Sequence, residues 1–218
     1  PKPLMPTLKD AGIKVIHKMT SIRHAASAQK LGVDAVTLIG FGSGGHIGMD
    51  NVASFIMIPM AVSRLDIPVI AGGGVADGKG FMGALAMGAE AVLMGTAFFA
   101  TQECPAHDAI KDRLVQTQET DTCLLLNSIH NPIRCVKNKL ADECLALEEK
   151  NASFEEIITA VAGGKGKLAY DSGDTEVSPI ACGQIVGAIE EIKTVKQLID
   201  DIVNEADALM KRLNVITA

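Results

Sequence analysis

The first hundred residues predict an α/β fold with parallel strands, and three features carry that expectation. Short apolar runs alternate with helix-like segments four times between Lys14 and Met94. The runs are continuously apolar rather than alternating, as strands covered on both faces are. Glycines follow the later runs, at Gly40, Gly72 and Gly95, where the chain must turn sharply. Four consecutive βα units imply parallel strands with right-handed crossovers, in a barrel or a doubly wound sheet.

The elements follow in order. Lys14–Met19 reads as a buried strand. Ser21 is a suitable N-cap for a helix to about Leu31, which Gly32 ends. Asp34–Ile39 is the second strand, and Gly40–Gly48 a glycine-rich loop. A Met- and Ala-rich helix is expected over Asn51–Arg64, and a third strand over Ile67–Ala71. Gly72, Gly73 and Gly74 precede a helix from Lys79 to Met87, and Ala91–Met94 is the fourth strand. Beyond Thr101 the pattern becomes helical: Pro105–Gln118, 134–150, 153–161, 178–190 and 194–213, with a loop at 163–167. The last helix carries a one-sided apolar stripe that includes Leu198, Ile202 and Ala206. The expected division is a β/α part at 1–104, a helical subdomain at 105–177 and closing helices at 178–218.

Composition narrows the function. Twenty basic against twenty-six acidic residues give a net charge of −6, which argues against a nucleic-acid surface. One Tyr and no Trp weaken any base-stacking platform. With 48% hydrophobic and 21% charged residues, a packed core is expected rather than disorder. No apolar run reaches the roughly 20 residues of a membrane-spanning helix, and no secretory signal is evident. Five cysteines without CxxC spacing, and histidines without HExxH, point to a reducing, cytoplasmic setting and to no metal site.

Two turns follow consecutive strands, Ala71-Gly72-Gly73-Gly74 and Met94-Gly95-Thr96. Bare glycine N–H groups at strand ends suit a phosphate, although two tight turns without a ligand would look the same. The loop Gly42-Ser43-Gly44-Gly45-His46-Ile47-Gly48 follows another strand. A histidine there suits acid–base work, or simply bonds to backbone. Ser43 lacks a His–Asp pair and is no candidate nucleophile. The nine methionines read as core filler, although several at 49–60 could line an apolar pocket.

Residues 42–48, Ile67–Gly78 and Gly88–Phe98 together resemble the nitronate monooxygenase family, formerly 2-nitropropane dioxygenases. That family includes the flavin-type enoyl-acyl-carrier-protein reductases. Arg134–Asn138 and Ala181–Gly187 extend the likeness. The resemblance implies a TIM (β/α)₈ barrel that binds FMN, with Gly73, Gly74, Gly95 and Thr96 on its phosphate. Gly44, Gly45, Ala71, Gly72 and Met94 would complete the cofactor site, with Gln184 lining it. His46 would face the substrate as the catalytic residue. Against the family pattern, Gly42 replaces Glu, Ile39 replaces Gln and Leu93 replaces Gln. Relatives also begin with about four further strands, so the chain resembles strands five to eight of a barrel plus C-terminal helices. The implied reaction is oxidation of small alkyl nitronates by O₂. The alternatives are an NAD(P)H-dependent enoyl-thioester reductase, and a non-catalytic half-barrel that needs a second copy or a partner chain. A flavin-free barrel isomerase or synthase would need Lys18.

Overall fold

The computed structural model describes residues 2–161 and 165–217, with backbone alone for 216 and 217. A short helix α1 (Met5–Asp10) leads into strand β1 (Ile16–Met19). Helix α2 (Ile22–Lys30) connects it to β2 (Ala35–Ile39), and the Ser21 side chain caps α2 by accepting from the His24 N–H at 3.3 Å. After a two-residue strand β3 (Gly45–His46) come helix α3 (Ser54–Val62), strand β4 (Val69–Gly72), helix α4 (Gly78–Ala86) and strand β5 (Ala91–Leu93). The Asp77 carboxylate caps α4 by accepting from Gly80 N–H at 2.7 Å.

The parallel sheet has the order β1-β2-β4-β5. Each strand lies beside the next βα strand in the chain, and the order never reverses, as in the wall of a barrel rather than a doubly wound sheet. One face carries Val36, Leu38, Val69 and Ala71, which pack against Ala25 and Ala28 of α2, Met57, Ile58 and Ala61 of α3, and Ala84 of α4. Full burial of side chains such as Leu38 and Ile58 stabilises this layer by roughly 1.5–3 kcal/mol each. The outer strands are less covered: Ile16 of β1 is 60% exposed and Leu93 of β5 40%.

The second half departs from the expected all-helical pattern. Helix α5 (Thr96–Phe99) and helix α6 (Asp108–Gln116) are followed by an antiparallel hairpin, β6 (Thr122–Leu125) and β7 (Ile133–Val136). The expected helix over 134–150 therefore begins only at α7 (Lys139–Glu149). The Asn138 side chain marks the true start by accepting from Ala141 N–H at 2.9 Å. Part of the expected Gly40–Gly48 loop is also a strand, since β3 pairs antiparallel with β7 to give a sheet of order β3-β7-β6. Helices α8 (Phe154–Val161) and α9 (Lys165–Ser172) follow. Of the loop expected at 163–167, residues 163 and 164 lie outside the described residues, and Lys165–Lys167 open α9. The helix expected over 178–190 shrinks to a 3₁₀ turn at Gln184–Ala188, because Ala181 is drawn into a bridge with Cys135. Helix α10 (Val195–Thr217) packs on α4, with Leu198, Ile202 and Ala206 buried and Ile199, Val203 and Met210 exposed.

The hairpin places Cys123 opposite Cys135, their sulfurs 3.9 Å apart. The shared hydrogen bond lowers the pKa of half-buried Cys123. The same bond, with burial, pushes Cys135 up. Burial raises Cys144 to about 11 and Cys182 to about 12. Thiolate fraction and access together set alkylation rates. Iodoacetamide at pH 8 is therefore expected to label Cys123 well before Cys135, Cys144 and Cys182. Peptide mass mapping over time checks this, and equal rates for Cys123 and Cys135 would contradict it.

Candidate functional site

The ends of β1, β2, β4 and β5 open onto a cavity of about 350 Å³. Three glycine-bearing segments form much of its wall: Ser43–Gly45 after β2, Gly73–Val75 after β4 and Leu93–Thr96 around the end of β5. The first of them is pinned by close backbone approach to Cys182 and Gly183. A Cβ on Gly44 would stand 2.5 Å from the carbonyl carbon of Cys182, and one on Gly183 would stand 2.8 Å from Gly42 O. Gln184 N–H donates to Gly42 O at 2.9 Å, and Gly183 N–H donates to Thr96 Oγ1 at 2.9 Å. The Ser54 hydroxyl, at the start of α3, reaches the carbonyls of Gly72 and Gly73 at 3.2 and 3.1 Å.

The walls also leave a cradle. Gly74 and Gly95 line the cavity, and a Cβ on either would meet nothing within 4 Å. Gly73 and Gly74 both have positive φ, +81° and +86°, so these turns are glycine turns for conformational reasons as well. Among the described residues Lys18 is the one charged residue of the lining, which includes no carboxylate. Tyr170, from α9, stacks edge-on against Phe99 with ring centroids 5.7 Å apart. Burial, and secondarily Cys104, raises its pKa, so the phenol keeps its proton at neutral pH. Ile39, Leu93, Met94 and Ile185 make the rest largely apolar. A cation, exposed glycine backbone and hydroxyls beside an apolar wall suit an organic phosphate with a flat apolar portion.

Of the residues expected at the site, Gly44, Gly45, Gly73, Gly74, Met94, Gly95 and Thr96 line this cavity together. Ala71 and Gln184 instead line an adjoining cavity of about 540 Å³, which shares Gly73, Gly74, Val75 and Ile185 with the first. Its Lys79 is held by Glu205 at 3.1 Å, and that carboxylate raises the lysine's pKa. Gly72 ends β4, where a Cβ would stand 2.6 Å from Ile39 Cγ2. His46 lies in β3, solvent-exposed, paired with Ile133 and next in the chain to Gly45. It is outside the lining of both cavities. The residues at two of the departures from the family pattern, Ile39 and Leu93, line the main cavity. At the third, a Cβ on Gly42 would stand 3.1 Å from Gln184 Oε1, so the glutamine occupies space beside the missing side chain. Ser43, Tyr170 and Gly183 were not expected at the site. Tyr170, as the only tyrosine, was the one with a compositional signal. Among the described residues no cluster of three or more His, Cys, Asp or Glu could hold a metal ion, and no helix is long and apolar enough to cross a membrane.

The chain is similar to known proteins over nearly its whole length. A probable nitronate monooxygenase of Staphylococcus aureus (strain MSSA476) is 29% identical over 94% of the chain. The chain spans 59% of that relative's length. A (3aS,4S,5R,7aS)-5-hydroxy-7a-methyl-1-oxo-octahydro-1H-indene-4-carboxyl-CoA dehydrogenase of Rhodococcus jostii (strain RHA1) is 32% identical. That match covers 99% of this chain and 70% of the relative. The structure of FabK from Thermotoga maritima superposes with a TM-score of 0.91 at 36% identity, covering 99% of this chain and 68% of that one. The nitronate monooxygenase family profile matches residues 1–205, and the chain belongs to that family.

Proposed function

We propose that the chain forms the phosphate-binding part of an FMN-dependent oxidoreductase that oxidises small alkyl nitronates with O₂. The observation that carries this reading is the cavity itself. Both glycine turns meet there, with open space over Gly74 and Gly95 and one cation, Lys18, in the lining. Members of the family are flavin enzymes, and bound FMN would supply the two-electron acceptor. Gly73, Gly74, Gly95 and Thr96 would hold its phosphate through N–H and hydroxyl donors. Gly44, Gly45 and Met94 would border the rest, with Ala71, Gly72 and Gln184 supporting the turn from the adjoining side. Lys18 would attract an anionic substrate, and His46 would take or position its proton. A barrel of the TIM type, divided at 1–104, 105–177 and 178–218, belongs to the same proposal. So does a partner, either a second copy or a separate half-barrel, to cover the exposed edges at Ile16 and Leu93. A cytoplasmic setting agrees with the five free cysteines.

The purified protein is expected to show the absorption bands of bound flavin and to consume oxygen with an alkyl nitronate. His46→Ala is expected to lower kcat/KM by about 10²–10⁴-fold while the flavin spectrum persists. A colourless protein that takes up no FMN would overturn the flavin reading, and an unimpaired His46→Ala would overturn the histidine's role. One observation favours a second reading, an NAD(P)H-dependent enoyl-thioester reductase. The Rhodococcus relative is named for a carboxyl-CoA substrate, and the apolar lining suits an acyl chain. NADH turnover with an enoyl thioester, and none with a nitronate, would select it.

A further inference from the structure

We infer that Ser43 is a ligand-binding residue, whose hydroxyl donates a hydrogen bond to the phosphate ester of the bound cofactor. The inference rests on the FMN reading and adds a contact made by a side chain.

Ser43 lines the main cavity and is 5% exposed, yet its Oγ has no hydrogen-bond partner. A buried hydroxyl left alone costs free energy, and a serine kept in such a place calls for an acceptor. The surroundings say what kind. Ser43 N–H already donates to Gly40 O at 3.0 Å, so the backbone is fixed and only the side chain is spare. Gly73 packs directly against the hydroxyl. A Cβ at Gly73 would collide with Oγ and approach Ser43 Cβ to 2.9 Å, so the missing side chain is what admits the serine. The nearby Thr96 hydroxyl accepts from Gly183 N–H, leaving its own proton to be given away. Two hydroxyl donors, glycine backbone and Lys18 thus line one cavity without a carboxylate. A group made only of acceptors completes that set, and a phosphate ester is such a group. An uncharged polyol would bring donors of its own and find fewer acceptors to meet them.

The test is a titration of the apoprotein with FMN and with riboflavin, followed by quenching of flavin fluorescence, for wild type and Ser43→Ala. The expected result is a 10- to 100-fold weaker Kd for FMN in Ser43→Ala, roughly the worth of a charge-assisted hydrogen bond, with riboflavin affinity unchanged. The ligand-free variant is expected to melt no lower than wild type, because an unsatisfied buried hydroxyl has been removed. Ser43→Gly removes the hydroxyl without adding volume against Gly73 and makes the same comparison if the alanine variant does not fold. An unchanged FMN affinity would overturn the inference and leave the flavin reading standing. An equal loss for FMN and riboflavin would overturn it too, placing the effect away from the phosphate. A wild-type protein that binds neither flavin would overturn the FMN reading and this inference with it.

Discussion

A methyl group added at Gly73 is expected to do more damage than one added at its neighbour Gly74, although both residues have nearly the same backbone conformation. Their φ values are +81° and +86°, so Gly73→Ala and Gly74→Ala each carry the left-handed penalty of about 1–2 kcal/mol. At Gly74 the new Cβ enters open space, whereas at Gly73 it meets Ser43 Oγ. The Ser43 loop cannot simply retreat. Gly44 already sits against the backbone of Cys182, and Gly42 O accepts from Gln184 N–H at 2.9 Å. Gly73→Ala is therefore expected to cost about 2–4 kcal/mol in all, the range for overpacking combined with backbone strain. On the proposed FMN reading flavin should be lost with it, because the walls of the cavity are forced apart. Pairing Gly73→Ala with Ser43→Gly removes the obstacle and should return the stability to that of Gly74→Ala. Chemical denaturation of wild type and the three variants gives the answer. If Gly73→Ala is no less stable than Gly74→Ala, the packing of the two loops is not as described.

That contact shows why the fold was easier to read from sequence than the site. The βα half is written in local signals. Apolar runs, a Ser21 cap, an Asp77 cap and glycine breaks each act within a few residues, and the four strands of the parallel sheet fall inside the expected ones or differ by a residue at their ends. The hairpin was hidden by crowding. Only Lys137 and Asn138 separate β7 from α7, so an apolar strand and an amphipathic helix merged into one pattern. Asn138 was the available boundary signal, since asparagine favours an N-cap. The glycine turns of the site were legible because φ > 0 and close approach demand glycine wherever they occur. Ser43, Tyr170 and Gly183 were not, because each reaches the cavity through contacts between segments far apart in the chain: 43 with 73, 170 with 99, and 183 with 96. The position of His46 has the same origin. It lies in β3 because β7 is there to pair with it, and the sequence pattern of β7 runs on into that of the following helix.

Arg134 is one of the residues that join the two halves, and its removal is the second change with a large expected effect. The side chain comes from β7 and is 4% exposed. Its Nε and one terminal nitrogen donate to Phe41 O at 3.3 and 3.1 Å, and the other donates to Thr122 Oγ1 at 3.1 Å. The guanidinium also lies 4.7 Å from the centroid of the Phe41 ring. No carboxylate pairs with it among these contacts, and burial lowers its pKa, with the thiol of Cys182 the largest opposing influence. A buried cation held by one carbonyl, one hydroxyl and one ring is worth keeping only if those contacts fix something, and what they fix is the entry to the loop that carries Ser43 and Gly44. Arg134→Met preserves much of the volume but leaves Phe41 O and Thr122 Oγ1 without this donor. The expected cost is about 2–4 kcal/mol, or a fall in Tm of about 4–16 °C for a domain of this size. Arg134→Lys is expected to recover only part of it, since one ammonium cannot reproduce the planar fork that serves both acceptors and stacks on Phe41. The order wild type, lysine, methionine should appear in the melting temperature and, on the proposed FMN reading, again in affinity for FMN, because the same loop would serve both. A methionine variant that melts with wild type would show that the antiparallel sheet does not hold the loop in place. Loss of stability with FMN affinity intact would show that the loop keeps its shape without the arginine.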